Sequence, residues 1–128
     1  MAGERDPTMP DRVIEPGCLF CRIVAGEIPA TVVHDEADVL AFRDISPQSP
    51  THVLIIPKAH IASVATLEDG SEALAGRLMV VAARIAEAEG IAERGYRVAT
   101  NVGTWGGQSV DHLHLHLMGG RSFSWPPG

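Results

Sequence analysis

Three histidines set two residues apart, His112, His114 and His116, alternate with Leu113, Leu115 and Leu117. This pattern constrains the fold more than any other stretch of the chain. On a β-strand, residues two apart share a face. The leucines then point into a core and the three imidazoles to the opposite side. A slip of one residue would bury the rings and expose the leucines, so the register is fixed. Half of the six histidines lie in this run. The run is internal and its spacers are apolar, which excludes a tag remnant. Imidazole, with an unperturbed pKa of ~6.5, is largely neutral at cellular pH and serves as nucleophile or metal ligand. A neighbouring histidine can orient such a ring and fix its tautomer. Clustering also lowers each ring's pKa through mutual repulsion. Nucleophilic catalysis and metal binding both fit the run.

The rest of the chain supplies a sheet for that strand. Cys18–Ala25 reads as a short helix closed by Gly26, and Thr31–Asp35, Val39–Arg43 and His52–Pro57 read as three strands. The third is nearly all apolar, as expected of a central strand. Ser71–Glu89 is the one long helix, with Leu74, Leu78, Val81, Ile85 and Ala88 as its buried stripe, Asp69 or Ser71 as its cap and Gly90 as its stop. Tyr96–Asn101 and His112–Met118 complete five strands. Short turns between neighbours imply an α+β fold with a mostly antiparallel sheet. The length of 128 residues suits one domain, 17–128, preceded by a polar, flexible tail, 1–16.

Composition narrows the function. The net charge of −6 and the absence of a long Lys/Arg cluster argue against a nucleic-acid partner. No apolar stretch is long enough for a membrane span, and no signal core precedes the domain, which points to a cytoplasmic protein. The only cysteines, Cys18 and Cys21, form C-x-x-C: a metal half-site, a redox pair or two buried thiols.

The segment Gly106-Gly107-Gln108-Ser109 directly precedes the histidines. Such a loop can turn backbone N–H groups toward an anion, with Gln108 and Ser109 adding side-chain donors, or it can be a plain turn. Beside a nucleophile, donors aimed at a phosphoryl group are a large catalytic term. Asp44 is either a turn residue or a carboxylate for the two hydroxyls of a ribose. Phe20, Ile28, Phe42 and Ile45 either wall a purine pocket or pack the core.

His112-Leu-His114-Leu-His116-Leu-Met118 resembles the signature of the histidine triad family. Asp44–Gln48, Pro50–His52, Ile56–His60, Gly106–Val110, Gly119–Arg121 and Trp125–Gly128 extend the likeness to the histidine triad nucleotide-binding (Hint) branch, from about Cys18 to the C-terminus. The resemblance implies a five-stranded antiparallel sheet with two helices, paired in a homodimer with a ten-stranded sheet. It implies hydrolysis of purine nucleoside phosphoramidates, and more slowly of acyl- or sulfur-linked monophosphates. By position His114 is the nucleophile, giving a nucleotidyl-histidine. His116 and the backbone around Gln108 and Ser109 hold the phosphate, and the Ser109 hydroxyl lies near the leaving group. Asp44 binds ribose, Asn101 helps at the phosphate, and His52 and His112 support the cluster. The same resemblance adds His60 and His112 to Cys18 and Cys21 as ligands of a structural zinc. Asp111 departs from the aromatic residue common in relatives and is expected to face away from the histidines. The tail Arg121–Gly128 resembles the segment that shapes leaving-group specificity. Other readings are a dinucleoside polyphosphate hydrolase of the same family, a nucleotide-binding regulator with little turnover, and a metal-buffering protein.

Overall fold

The computed structural model describes residues 13–128. The elements run α1 (Leu19–Val24), β1 (Val32–Asp35), β2 (Val39–Arg43), β3 (Thr51–Pro57), a 3₁₀ turn (Val64–Thr66), α2 (Glu72–Ala88), β4 (Arg97–Ala99) and β5 (Leu115–Gly119). The five strands form one antiparallel sheet in the order β1-β2-β3-β5-β4. The chain makes a meander through β3, crosses by α2 to the edge strand β4, then returns to insert β5 between β3 and β4. The strand with the histidines therefore has neighbours on both sides.

Residue parity decides what faces what. On β2, β3 and β5 the odd positions Val39, Ala41, Val53, Ile55, Leu115 and Leu117 pack with Leu78, Val81, Ala82 and Ile85 of α2. The even positions Leu40, Phe42, Leu54 and Ile56 pack with Phe20 of α1 on the other face. β3 is buried along its whole length because both its faces are covered, which explains its unbroken apolar run. Each large aliphatic side chain on the α2 stripe adds about 1.5–3 kcal/mol on full burial.

Several sequence expectations shift. The stripe of α2 is Leu78, Val81, Ala82, Ile85 and Ala86, with Leu74 half-buried and Ala88 exposed. Small alanines, not the last one in the apolar series, lie on the face toward the sheet. Ser71 sits at the N-cap, but its side chain makes no capping bond; its hydroxyl instead accepts from the Glu68 N–H at 3.3 Å. The C-terminus behaves as read: Gly90 at φ +74° allows Gly90 N–H to reach Glu87 O (3.2 Å) and Ile91 N–H to reach Ala86 O (3.1 Å). β4 spans three residues instead of six, and β5 starts at Leu115, so His112 and His114 precede the strand.

Of the expected tail, residues 1–12 lie outside the described residues. Val13 and Glu15 are tied to the domain: His60 N–H donates to Val13 O (2.6 Å) and Glu15 N–H to Cys21 Sγ (3.5 Å). Among the described residues no helix is long and apolar enough to cross a membrane.

Candidate active site and an adjoining cysteine–histidine cluster

The alternation of the histidine run survives although only its end is regular strand. Leu113, Leu115 and Leu117 all enter the core on the α2 face. His112, His114 and His116 lie on the α1 face, where the Phe20 ring meets His112 and His114 edge-on at 5.8 and 5.1 Å. Two clusters form there. One holds Asp44, His52 and His116, with His114 beside it at 4.9 Å from His116. The other holds Cys18, Cys21, His60 and His112.

Hydrogen-bond partners that can only donate or only accept assign the tautomers. Gln48 N–H donates to His52 Nδ1 (3.0 Å), so neutral His52 carries its proton on Nε2. That proton is donated to His116 Nδ1 (2.9 Å), which places the His116 proton on Nε2. His114 Nδ1–H donates to the His112 carbonyl (2.7 Å), leaving Nε2 of His114 with its lone pair. The peptide of His114 is itself held, since the Thr100 hydroxyl donates to its carbonyl at 2.8 Å. The cluster thus offers one bare ring nitrogen next to one outward N–H donor.

Burial is the larger cause of neutrality here. It pushes His116 down to about 4, aided by nearby His114 and His52 and opposed by Asp44. Burial also lowers His52, again against the pull of Asp44, whose Oδ2 lies 3.5 Å from His52 Nε2. Mutual repulsion, the effect expected from the sequence, contributes at His116 but comes second to desolvation.

In the second cluster the tautomer is reversed. His112, fully buried, donates Nε2–H to the Pro57 carbonyl (2.8 Å) and turns Nδ1 toward the sulfurs. Nδ1 lies 3.3 Å from Cys18 Sγ and 3.6 Å from Cys21 Sγ, and His60 Nδ1 lies 3.4 Å from Cys21 Sγ. A tetrahedral zinc with ordinary Zn–S and Zn–N bonds needs S···N edges of about 3.5 Å. The four donors fit such an ion, and two sulfurs with two imidazoles suit its chemistry. Burial raises the Cys21 thiol, which argues against a reactive redox pair. His112 is therefore not a side-chain partner of the other two histidines, as its supporting role implied. It supports His114 through its backbone carbonyl, and this frees its ring for the cysteines.

The loop before the histidines departs most from expectation. Gln108 Nε2 donates to Ala62 O (2.7 Å) and Val110 O (2.9 Å), and its Oε1 accepts from Gly103 N–H (3.0 Å). Gln108 N–H reaches Gly103 O (3.0 Å) and Gly107 N–H reaches Thr104 O (3.1 Å). Gly107 and Gln108 thus build the loop and their donors are occupied within it. Gly106 is required for it, because a Cβ there would lie 2.2 Å from Val102 O. Ser109 is exposed and makes no hydrogen bond to another described residue, so its hydroxyl and N–H are available to a ligand.

Residues 25–123 match the HIT domain. The chain belongs to the histidine triad (HIT) family. Its structure is similar to that of a HIT family hydrolase from Legionella pneumophila, with a TM-score of 0.86 and 54% identity over 88% of this chain and 100% of that one. Its sequence is 45% identical to a 14 kDa zinc-binding protein of Zea mays, over the full length of both. It is 42% identical to the adenylylsulfatase HINT1 of Arabidopsis thaliana, over 100% of this chain and 88% of that protein.

The HIT domain distributes the other expected site residues unevenly. Phe20 and Phe42 are buried and pack ring to ring at 5.4 Å, so they serve chiefly as core. Ile28 is half-buried and Ile45 is fully exposed. Asp44 does form a turn, its Oδ1 accepting from Ser46 N–H (2.8 Å), yet Oδ2 stays at the histidine cluster. Asn101 is half-buried with no hydrogen bond to another described residue. Asp111 lines a cavity of about 510 Å³ together with Glu15, Cys18, His60 and Ser109. Sequence reasoning missed the backbone groups that set the tautomers: Gln48 N–H, Pro57 O and His112 O. Backbone groups leave no signature in residue type.

Proposed function

We propose that this chain hydrolyses purine nucleoside phosphoramidates through a nucleotidyl-histidine intermediate on His114. It is a hydrolase of the HIT family. The observation that carries the reading is the bond from His114 Nδ1–H to the His112 carbonyl, which leaves Nε2 bare beside the His116 donor. Nε2 attacks phosphorus, the P–N bond of the substrate breaks, and the leaving amine takes a proton through the Ser109 hydroxyl. Water then cleaves the phospho-imidazole bond, releasing the nucleoside monophosphate and restoring the neutral ring. His116 Nε2–H and Ser109 bind the phosphoryl oxygens, Asn101 assists there, Asp44 takes the ribose, and Ile28 and Ile45 flank the base.

Cys18, Cys21, His60 and His112 hold a structural zinc, which when bound ties α1 to the sheet. With no open position, that ion takes no part in the reaction. A cage of two reduced thiols suits a cytoplasmic protein. The chain acts as a homodimer joined along β4, whose outer edge pairs with no strand among the described residues and borders a cavity of about 890 Å³. Light scattering coupled to gel filtration measures that state.

The test is mass spectrometry of protein quenched during turnover of adenosine phosphoramidate. A nucleotide adduct on His114, absent from His114→Ala, is expected. Full activity in His114→Ala without any adduct sinks the proposal.

A second substrate class is favoured by one observation, the 42% identity to an adenylylsulfatase. Attack by His114 on adenylyl sulfate expels sulfate, which leaves without a proton. Turnover of both compounds by one preparation ranks the two readings.

A further inference from the structure

We propose that Thr100 is a positioning residue for the nucleophile, holding the peptide of His114 where the sheet no longer does. The proposal rests on the reading of His114 as nucleophile. β4 ends at Ala99, whose partner His116 is the last rung of the β4–β5 ladder. Beyond it the chain leaves the sheet at Asn101 for the turn closed by Gly107 N–H and Thr104 O. The His114 carbonyl therefore loses the donor that another residue of β4 would bring. His114 is buried, and a buried carbonyl requires a partner. The Thr100 hydroxyl supplies it at 2.8 Å. A β-branched side chain is stiff at χ1, so the hydroxyl is carried on a short rigid arm.

The consequence is geometric. The direction of His114 Nε2 is set by two bonds, ring Nδ1–H to the His112 carbonyl and the residue's own carbonyl to Thr100. Leu113 and Leu115 anchor the flanks in the core, and Leu113 N–H donates to Ile61 O at 2.6 Å. Without the hydroxyl the peptide plane after His114 is free to rotate, and the ring turns with it. A displacement of about 1 Å at a reacting atom costs on the order of 10²-fold in rate. Among the described residues Thr100 makes no side-chain hydrogen bond to Ser109, Asp44 or His116, so ground-state binding is expected to change little.

The experiment uses the zinc-loaded full chain and compares Thr100→Val, which keeps the shape, with Thr100→Ser, which keeps the hydroxyl. Thr100→Val is expected to lower kcat about 10- to 100-fold with KM nearly unchanged, while Thr100→Ser stays within about threefold of wild type. Nitrogen NMR of the ligand-free protein is expected to show one His114 tautomer, Nδ1 protonated, in wild type and Thr100→Ser. A mixture or a broadened signal is expected in Thr100→Val. Wild-type kcat and an unchanged ring spectrum in Thr100→Val overturn the proposal. An equal loss in Thr100→Ser does so too, since it assigns the effect to the methyl group. If Thr100→Val does not fold, Thr100→Ala carries the same two expectations. The spectrum needs no substrate, so a wild type without any adduct rejects the proposed reaction while Thr100 is still judged on the ring nitrogens.

Discussion

The two histidine clusters stand on one face of one sheet and share a stretch of chain, yet they are built for opposite ends. In the cluster of His112, His60, Cys18 and Cys21 two ring nitrogens and two sulfurs turn inward on one another, four donor atoms within 4.8 Å. In the cluster of His52, His114 and His116 the bonds run as a chain, from Gln48 N–H through His52 to His116. The proton on the other ring nitrogen makes the difference. His112 gives Nε2–H to Pro57 O and turns Nδ1 toward the cysteine sulfurs; His114 gives Nδ1–H to His112 O and keeps a lone pair on Nε2. Two carbonyls thus sort chemically identical side chains into the proposed ligand and the proposed nucleophile.

The sharpest break of this comparison is a double dissociation. His114→Ala is expected to reduce kcat by about 10⁴-fold or more, as loss of a nucleophile does, with zinc content and thermal midpoint near wild type. Cys21→Ser is expected to lose zinc and, at a cost of about 3 kcal/mol, to lower the midpoint by roughly 10–15 °C, while a folded fraction still forms the His114 adduct. Kinetics, metal analysis and thermal melts on the same three proteins decide it. Loss of zinc in His114→Ala, or of the adduct in folded Cys21→Ser, shows that the clusters are one unit.

A smaller effect separates the two leaving groups. Ser109 makes no hydrogen bond to another described residue; on the proposed reading it passes a proton to the leaving group, and an amine needs that proton on departure where sulfate does not. Ser109→Ala is expected to slow phosphoramidate turnover about 10²-fold, the usual scale for a lost proton relay, and adenylyl sulfate turnover only a few-fold. Equal losses on both substrates would assign Ser109 to phosphate binding alone.

Much of this was legible in the residues, for a physical reason. Period-two alternation is enforced by burial of Leu113, Leu115 and Leu117, so it placed the imidazoles correctly even where the backbone is irregular. The unbroken apolar run of β3 likewise announced a strand covered on both faces. What failed depended on tertiary partners. Gln108 looks like a ligand donor until the chain brings Ala62 O within 2.7 Å of its amide. Phe20 and Phe42 look like pocket walls until α1 seats one ring on the other. Ala82 and Ala86 give a weak periodic signal because they are small, although close packing of a helix on a sheet favours them. The tautomers rest on backbone N–H and carbonyl groups, which residue type does not reveal.

The smallest expected effect is on stability in acid, and it again distinguishes the clusters. His116 titrates near 4 in the folded chain, and His52 is also held below its ordinary value. Unfolded histidines titrate near 6.5, so between about 6.5 and 4 the unfolded chain binds more protons than the folded one. Stability from these neutral rings is complete above pH 6.5 and falls as the pH drops toward 4, by at most about 1.4 kcal/mol per pH unit for each group. His116→Gln removes one such group from the open cluster and leaves the cysteine cluster untouched. Urea unfolding of wild type and His116→Gln across this window is expected to give a shallower slope for the variant. Release of metal by acid affects both proteins alike and cancels in the difference. Parallel slopes would mean that the half-buried His116 ring is not held neutral, and the chain of bonds from Gln48 through His52 would lose its outermost link.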